Sequence, residues 1–450
     1  MNQMLAGCEV GPEVGERASY IQPLADADPT KFGLSMVMAD GQSYGAGDHQ
    51  FEFTLQSIAK PFAYALALQE CGIEQVLERI GVEPTGEAFN ELSLESGSKR
   101  PLNPMINAGA LVTHSLIGDP DDTADERSSR VLEFMSACAG RELVVNHDVY
   151  EEEIGSAHRN LALGHMLKSY DQLDIPAEVA VRGYILQCSA NVTTDDLAVM
   201  AATLANGGVN PKTGKQVIER EVVHITLSVM LATGMYDDAG DWITHVGIPA
   251  KSGVSGGILG VMPGQYGVAT YAPPLDRHGN SVRGVNVFQR LSREMGMHLM
   301  DAQVMTRSVL RNHEPVKLAD GTSAYLYQVQ GPLRFASMEQ VARLMVDDAR
   351  TEPTVIFDAS LATSLDRTAL EMLRQLLARL VSHGKRVYSV RISDDIDLAT
   401  AASGVIEVDE LSEVLAGQDE QPKPETKLLP SREYEYDYEP ELEPGQELPT

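Results

Sequence analysis

The chain has 450 residues, 43% of them hydrophobic, and a formal net charge of −30 at pH 7. That length exceeds one typical domain and predicts two or three, each with an ordinary core. The charge excludes nucleic acid and anionic membrane surfaces as partners, because both are polyanions.

Cys8, Cys71, Cys138 and Cys188 are widely spaced and form no Cys-x-x-Cys pair, which argues against structural zinc and a disulfide framework. No basic segment leads into an apolar run at the start, and no apolar stretch reaches about 18 residues. The expected location is cytoplasmic.

Residues 1–15 carry no signal, and Tyr20-Ile21-Gln22-Pro23-Leu24 is the first anchored segment. Gly33 to Met38, the turn residues Ala39-Asp40-Gly41 and a second run to Tyr44 predict a hairpin. Phe51 to Leu55 then alternates into Leu55-Gln56-Ser57-Ile58-Ala59-Lys60-Pro61-Phe62. Residues three apart share a helix face, so the Lys60 amine can reach the Ser57 hydroxyl. A desolvated lysine can lose its proton near neutral pH and activate a serine. Ser96 with Lys99, and Ser382 with Lys385, have the same spacing, but they fall in a polar loop and at a polar helix end. Behind Ser57, in contrast, Ala59, Phe62, Ala63, Leu66 and Ala67 recur at helical spacing as far as Gly72. Pro61 is tolerated only in a first turn, which puts Ser57 at the positive end of this helix.

Helical patterns dominate from Cys71 to Asp237. Within them, residues 101–110 form a constrained loop bearing Asn103 and Asn107, while Glu151-Glu152-Glu153, by its composition, reads as a solvated charge run. From Met235 the texture changes: a turn over Tyr236 to Gly240, a strand predicted over Trp242 to Val246, and a glycine-rich strand entry from Pro249 to Ile258. The strand signal continues through Val261 and resumes from Val268 to Tyr271. Lys251-Ser252-Gly253 is similar to the Lys-Thr-Gly that faces the serine in penicillin-recognising enzymes.

Taken together, Leu55 to Lys60, Asn103 to Ala110, Arg159-Asn160, Ala198 to Gly208, Gly234-Met235-Tyr236 and Ala250 to Val254 resemble the serine-dependent glutaminases. The resemblance covers residues 18–301. It implies an α/β protein with a β-lactamase and DD-peptidase-like domain, a helical cluster plus a mixed sheet. It also implies Ser57 as nucleophile, Lys60 as its activator and Tyr236 as proton relay or base. Asn107, Glu153, Asn160, Tyr184, Tyr236 and Val254 match substrate-contacting positions, and Tyr20 a pocket tyrosine. Family members often have Ser-Glu where this chain has Glu152-Glu153; the spacing to Asn160 selects Glu153. The implied reaction is hydrolysis of L-glutamine through a Ser57 acyl-enzyme, with no cofactor and no metal. Backbone N–H groups of Ser57 and Val254 would hold the oxyanion. A penicillin-recognising hydrolase and an inactive regulatory protein are the alternatives.

The polar stretch 314–324 reads as a linker closing a catalytic domain of residues 1–313. Over residues 325–416, strands at Tyr325 to Val329, Val355 to Asp358 and Val387 to Val390 alternate with helices begun by Ser337 and Asp366, a compact α/β unit. Ile356-Phe357-Asp358 and Leu365 to Leu370 resemble a STAS domain. That resemblance implies a protein partner or a homo-oligomer, with a docking surface that includes Arg367 and Thr368. Residues 417–450, rich in Pro, Glu and Tyr, read as a disordered acidic tail.

Overall fold

The computed structural model describes residues 1–8, 14–85, 94–119, 121–300, 309–348, 352–390 and 404–415. The expected tail lies outside them.

The first hairpin forms as the turn residues dictate, from β1 (Gly33–Met38) and β2 (Ser43–Gly47), with Gly41 at φ 92°. A two-residue ladder of β3 (Phe53–Thr54) with β4 (Asn191–Val192) ties the segment before Ser57 to the helical cluster. Three strands from the glycine-rich region, β5 (Ala250–Ser252), β6 (Gly257–Met262) and β7 (Tyr266–Tyr271), complete a sheet ordered β2-β1-β7-β6-β5. Every pairing in it is antiparallel.

Strands β1, β6 and β7 are buried at every residue, because helices cover both faces. The helix Thr194–Ala205 lies so close on one side that a Cβ at Gly267 would sit 2.3 Å from the Ala202 nitrogen. On the other side the helix Val282–Met295 packs Val287, Phe288 and Leu291 against Met36, Ile258 and Val268. Beyond Thr194–Ala205, the helices Lys60–Cys71, Asn107–Leu116, Ala124–Ala139 and Ala177–Cys188 share one core.

Trp242 to Val246, expected as a strand, instead closes the helix Ala239–His245, with Val246 as its C-cap. Five apolar-rich residues fit either period, and the helix wins because it buries Trp242 beside Phe288 and lets its indole N–H reach the Ile248 carbonyl at 2.8 Å.

The second sheet runs β12-β11-β10-β9-β8, comprising β8 (Leu310–Lys317), β9 (Ser323–Leu333), β10 (Thr354–Leu365), β11 (Arg386–Val390) and β12 (Val405–Val408). It is mixed: β8 runs antiparallel to β9, and the other pairs are parallel. Residues 314–317, expected as linker, are therefore strand. They are polar because β8 is a mostly exposed edge strand, the one place where Pro315 is tolerated. The helices Phe335–Asp348 and Arg367–Ser382 cover one face with Met338, Val341, Met345, Leu373 and Leu377. Asp366 caps the second helix as expected, accepting from the Ala369 N–H at 2.7 Å. Ser337 does not cap the first: the helix begins at Phe335, and the Ser337 hydroxyl instead accepts the Arg334 N–H within that turn.

The two units touch through these helices. The Tyr44 hydroxyl donates to Glu339, Arg343 pairs with Asp40, and Phe335 meets Tyr266 edge to face at 5.9 Å. The Thr368 hydroxyl donates to the Glu294 carbonyl, so the helix start expected to receive a partner faces the catalytic unit. Each unit has its own buried clusters among the described residues, and Phe335 and Ala336 of the second pack, partly buried, against the one that holds Tyr266. A chain ending at Met300 should fold and keep its turnover within about threefold, melting a few degrees lower for the lost apolar and polar contacts. Calorimetry and a steady-state assay check both parts.

Candidate active site

Ser57 stands where the β3 segment turns into the helix Lys60–Cys71, on the 3-10 turn Gln56–Ala59. Gln56 enters this turn at φ 50°. A left-handed backbone costs a non-glycine residue about 1–3 kcal/mol. It is held by the Leu55 N–H bonding to the Ala190 carbonyl at 2.9 Å and by Pro61 in the first helical turn. Gly253 is required opposite, since a Cβ there would lie 2.8 Å from the Leu55 carbonyl oxygen.

Lys60 is buried, and its amine donates to Ser57 Oγ at 3.0 Å and to Asn107 Oδ1 at 2.8 Å. Burial pushes its pKa down to about 8, against the opposing pull of Cys188 and Glu153. Asn107 opens the helix Asn107–Leu116, and its amide donates to Asn160 Oδ1 at 3.1 Å, while Tyr184 Oη donates to Asn107 Oδ1 at 3.4 Å. Tyr236 sits on a one-turn segment at φ 58°, and its phenol hydrogen-bonds the Ser57 side chain and donates to the Ser252 carbonyl at 3.0 Å. Burial holds its pKa above the usual phenol value, so it stays a proton donor.

A cleft of about 280 Å³ opens on this group, lined by Tyr20, Gln56, Ser57, Asn107, Glu153, Asn160, Tyr184 and Val254, with Ser156, Ala157 and Arg159 nearer the chain turn. Every expected substrate-contacting residue but Tyr236 lines it, and Tyr236 stands behind Ser57. Tyr20 is half exposed, Glu153 is buried and Glu152 is exposed. Desolvation raises Glu153 to about 7, opposed by a hydrogen bond from Gln56 Nε2 at 3.2 Å and by the charge of Lys60. Gln56 is a residue that sequence reasoning passed over. Its signal was a polar side chain on the turn of an otherwise apolar helix start.

The site thus brings together a serine beside a buried amine, a phenol behind it, and a cleft carrying one carboxylate and several amides. The sequence profile of the family described as Glutaminase matches residues 15–300. A glutaminase of Corynebacterium efficiens is 46% identical over 384 residues, 85% of this chain and 89% of that one. A glutaminase of Trichormus variabilis is 50% identical over 284 residues, 63% of this chain and 84% of that one. Among solved structures, Mglu in its native form superposes with a TM-score of 0.66 at 41% identity, covering 86% of this chain and 97% of that chain. A probable glutaminase from Bacillus subtilis complexed with 6-diazo-5-oxo-L-norleucine gives a TM-score of 0.61 at 31% identity, covering 66% and 94%. The chain belongs to the glutaminase family and is an enzyme of that class.

Because Glu153 faces the cleft and Glu152 faces solvent, Glu153→Gln should weaken glutamine binding by about 2–5 kcal/mol, the loss of a charged partner for a buried ammonium. Glu152→Gln should leave KM within about twofold. Equal effects in steady-state kinetics would reverse the assignment.

Proposed function

We propose that this chain hydrolyses L-glutamine to L-glutamate and ammonia through an acyl-enzyme on Ser57. The observation that carries the reading is the hydrogen-bonded group of Lys60, Ser57 and Tyr236 at the floor of a cleft holding Glu153. Glu153 as carboxylate pairs with the substrate α-ammonium, and Asn107, Asn160, Tyr184 and Tyr20 hydrogen-bond the α-carboxylate. That fixes the side-chain amide over Ser57.

Neutral Lys60 keeps its bond to Asn107 and takes the Ser57 proton as Oγ attacks the amide carbon. The oxyanion is met by the backbone N–H groups of Ser57 and Val254. Tyr236 gives its proton to the departing nitrogen, ammonia leaves, and the proton on Lys60 returns to Tyr236. Water then attacks the ester, loses its proton to the same groups and releases glutamate, restoring Ser57. The pKa directions favour this division: burial makes Lys60 a better base near neutrality and Tyr236 a retained acid.

We also infer that the second unit is STAS-like, supported by helices packed on one face of its mostly parallel sheet. Its helices contact the chain's own catalytic unit at Tyr44 and at the Glu294 carbonyl.

Ser57→Ala should reduce ammonia release at least roughly a thousandfold while leaving the melting temperature within a few degrees. Near-normal turnover in the purified variant would rule out the acyl-enzyme. The pH profile follows from two groups. Glu153, raised to about 7, must be deprotonated to hold the ammonium; Lys60, lowered to about 8, must be neutral to accept a proton. Both conditions fail as pH falls, so kcat/KM should climb between about pH 6 and 8. A profile flat across that window would contradict both roles.

A further inference from the structure

The loop from Pro274 to Ser281 is off the lining of the substrate cleft and no step above uses it, yet its tip reaches the Tyr236 ring and Val254. Gly279, at φ 86°, is placed so that a Cβ there would stand 3.7 Å from Tyr236 Cε2 and 4.0 Å from Val254 Cγ1. One residue earlier, His278 Nδ1 meets Asp237 Oδ2 at 2.9 Å. Arg277 Nε donates to the other ring nitrogen, Nε2, at 2.9 Å. A guanidinium can only donate and a carboxylate can only accept, so the imidazole carries its hydrogen on Nδ1 and gives it to Asp237.

Asp237 follows Tyr236 on the one-turn segment Tyr236–Asp238, where Tyr236 is held at φ 58°. A left-handed tyrosine persists only where its surroundings overdetermine it. The phenol end is fixed by the Ser252 carbonyl at 3.0 Å, and on the backbone side the next residue is held by His278. The charges at this turn work against compactness. Burial pushes the Asp238 carboxyl up, and Asp241, Asp276 and Asp237 push it the same way, against the pull of His278. With the imidazole removed, these carboxylates repel one another across the turn. The loop can bear the load because it is braced. Asp276 Oδ1 accepts the His278 and Asn280 N–H groups at 2.9 and 3.0 Å, and the Ser281 hydroxyl donates to the Ala272 carbonyl at 2.8 Å.

We propose that His278 is a positioning residue for Tyr236: through its bond to Asp237 it holds the one-turn segment in the left-handed geometry that puts the phenol on Ser57. The proposal rests on the reading of Ser57 and Tyr236 as reacting groups. A residue that acts only by placing the phenol has no effect once the hydroxyl is gone, which a purely structural histidine does not predict.

The test is a double-mutant cycle on the full chain with L-glutamine as substrate, using His278→Ala, Tyr236→Phe and both together. His278→Ala should lower kcat about tenfold, with KM within about threefold because Glu153, Asn107 and Asn160 stand on other helices. In the Tyr236→Phe background the same change should cost less than about twofold. His278→Asn, whose amide keeps an N–H near the place of Nδ1, should recover most of the loss. Asp237→Ala should match His278→Ala, and it runs the same cycle should His278→Ala fail to fold by circular dichroism. A kcat within about twofold for His278→Ala, an equal loss in both backgrounds, no recovery with His278→Asn, or an effect confined to KM overturns the role of His278 alone. Near-normal turnover of Tyr236→Phe by itself overturns the reading of Tyr236 beneath it.

Discussion

Lys60 reaches two acceptors at once, Ser57 Oγ at 3.0 Å and Asn107 Oδ1 at 2.8 Å, from a position closed to solvent. Both bonds must form in the folded chain, because an amine buried without partners is far costlier than one left in water. That requirement couples three elements: the turn carrying Ser57, the helix begun by Lys60 and the helix begun by Asn107. Asn107 then passes the constraint outward to Asn160 and Tyr184, so the cleft wall is built from side chains already committed to one another. A substrate arriving there meets groups whose orientation was fixed on folding, and little ordering is left to be done on binding.

The same burial that fixes the geometry also sets the charges. Glu153 and Lys60 are desolvated toward their neutral forms, the carboxyl upward and the amine downward. On the proposed reading, a zwitterionic amino acid brings an ammonium to Glu153 and leaves Lys60 to act as the base. Backbone strain is concentrated nearby, since two of the four non-glycine residues at positive φ among the described residues are Gln56 and Tyr236. Strain of this kind persists where the surroundings overdetermine it, and here a strand ladder, a proline and a close glycine do so.

Among the described residues, none of the second unit lines the cleft. That unit meets the catalytic sheet at the β1–β2 hairpin and the start of β7, through Tyr44, Asp40 and Tyr266, and these lie on different elements from the residues around Ser57.

The sequence by itself determined the elements whose signals are local. The hairpin around Ala39 to Gly41, the helix from Lys60 to Gly72 with proline in its first turn, and the Asp366 cap were all legible, because turn chemistry and helical period act over a few residues. The Ser57 and Lys60 pairing was legible for the same reason: residues three apart share a face on a 3-10 turn as on an α-helix. Only the tertiary structure decided the rest. Trp242 to Val246 fits either period, and it became helix because Phe288, 46 positions or so further along, offers the indole a partner. Residues 314–317 carry polar side chains suited to a linker, and pairing with β9 made them strand. Gln56 acquires its significance from a group far away in sequence, Glu153. Burial is a property of the assembled fold, and the chemistry of this site depends on which polar groups that burial leaves together.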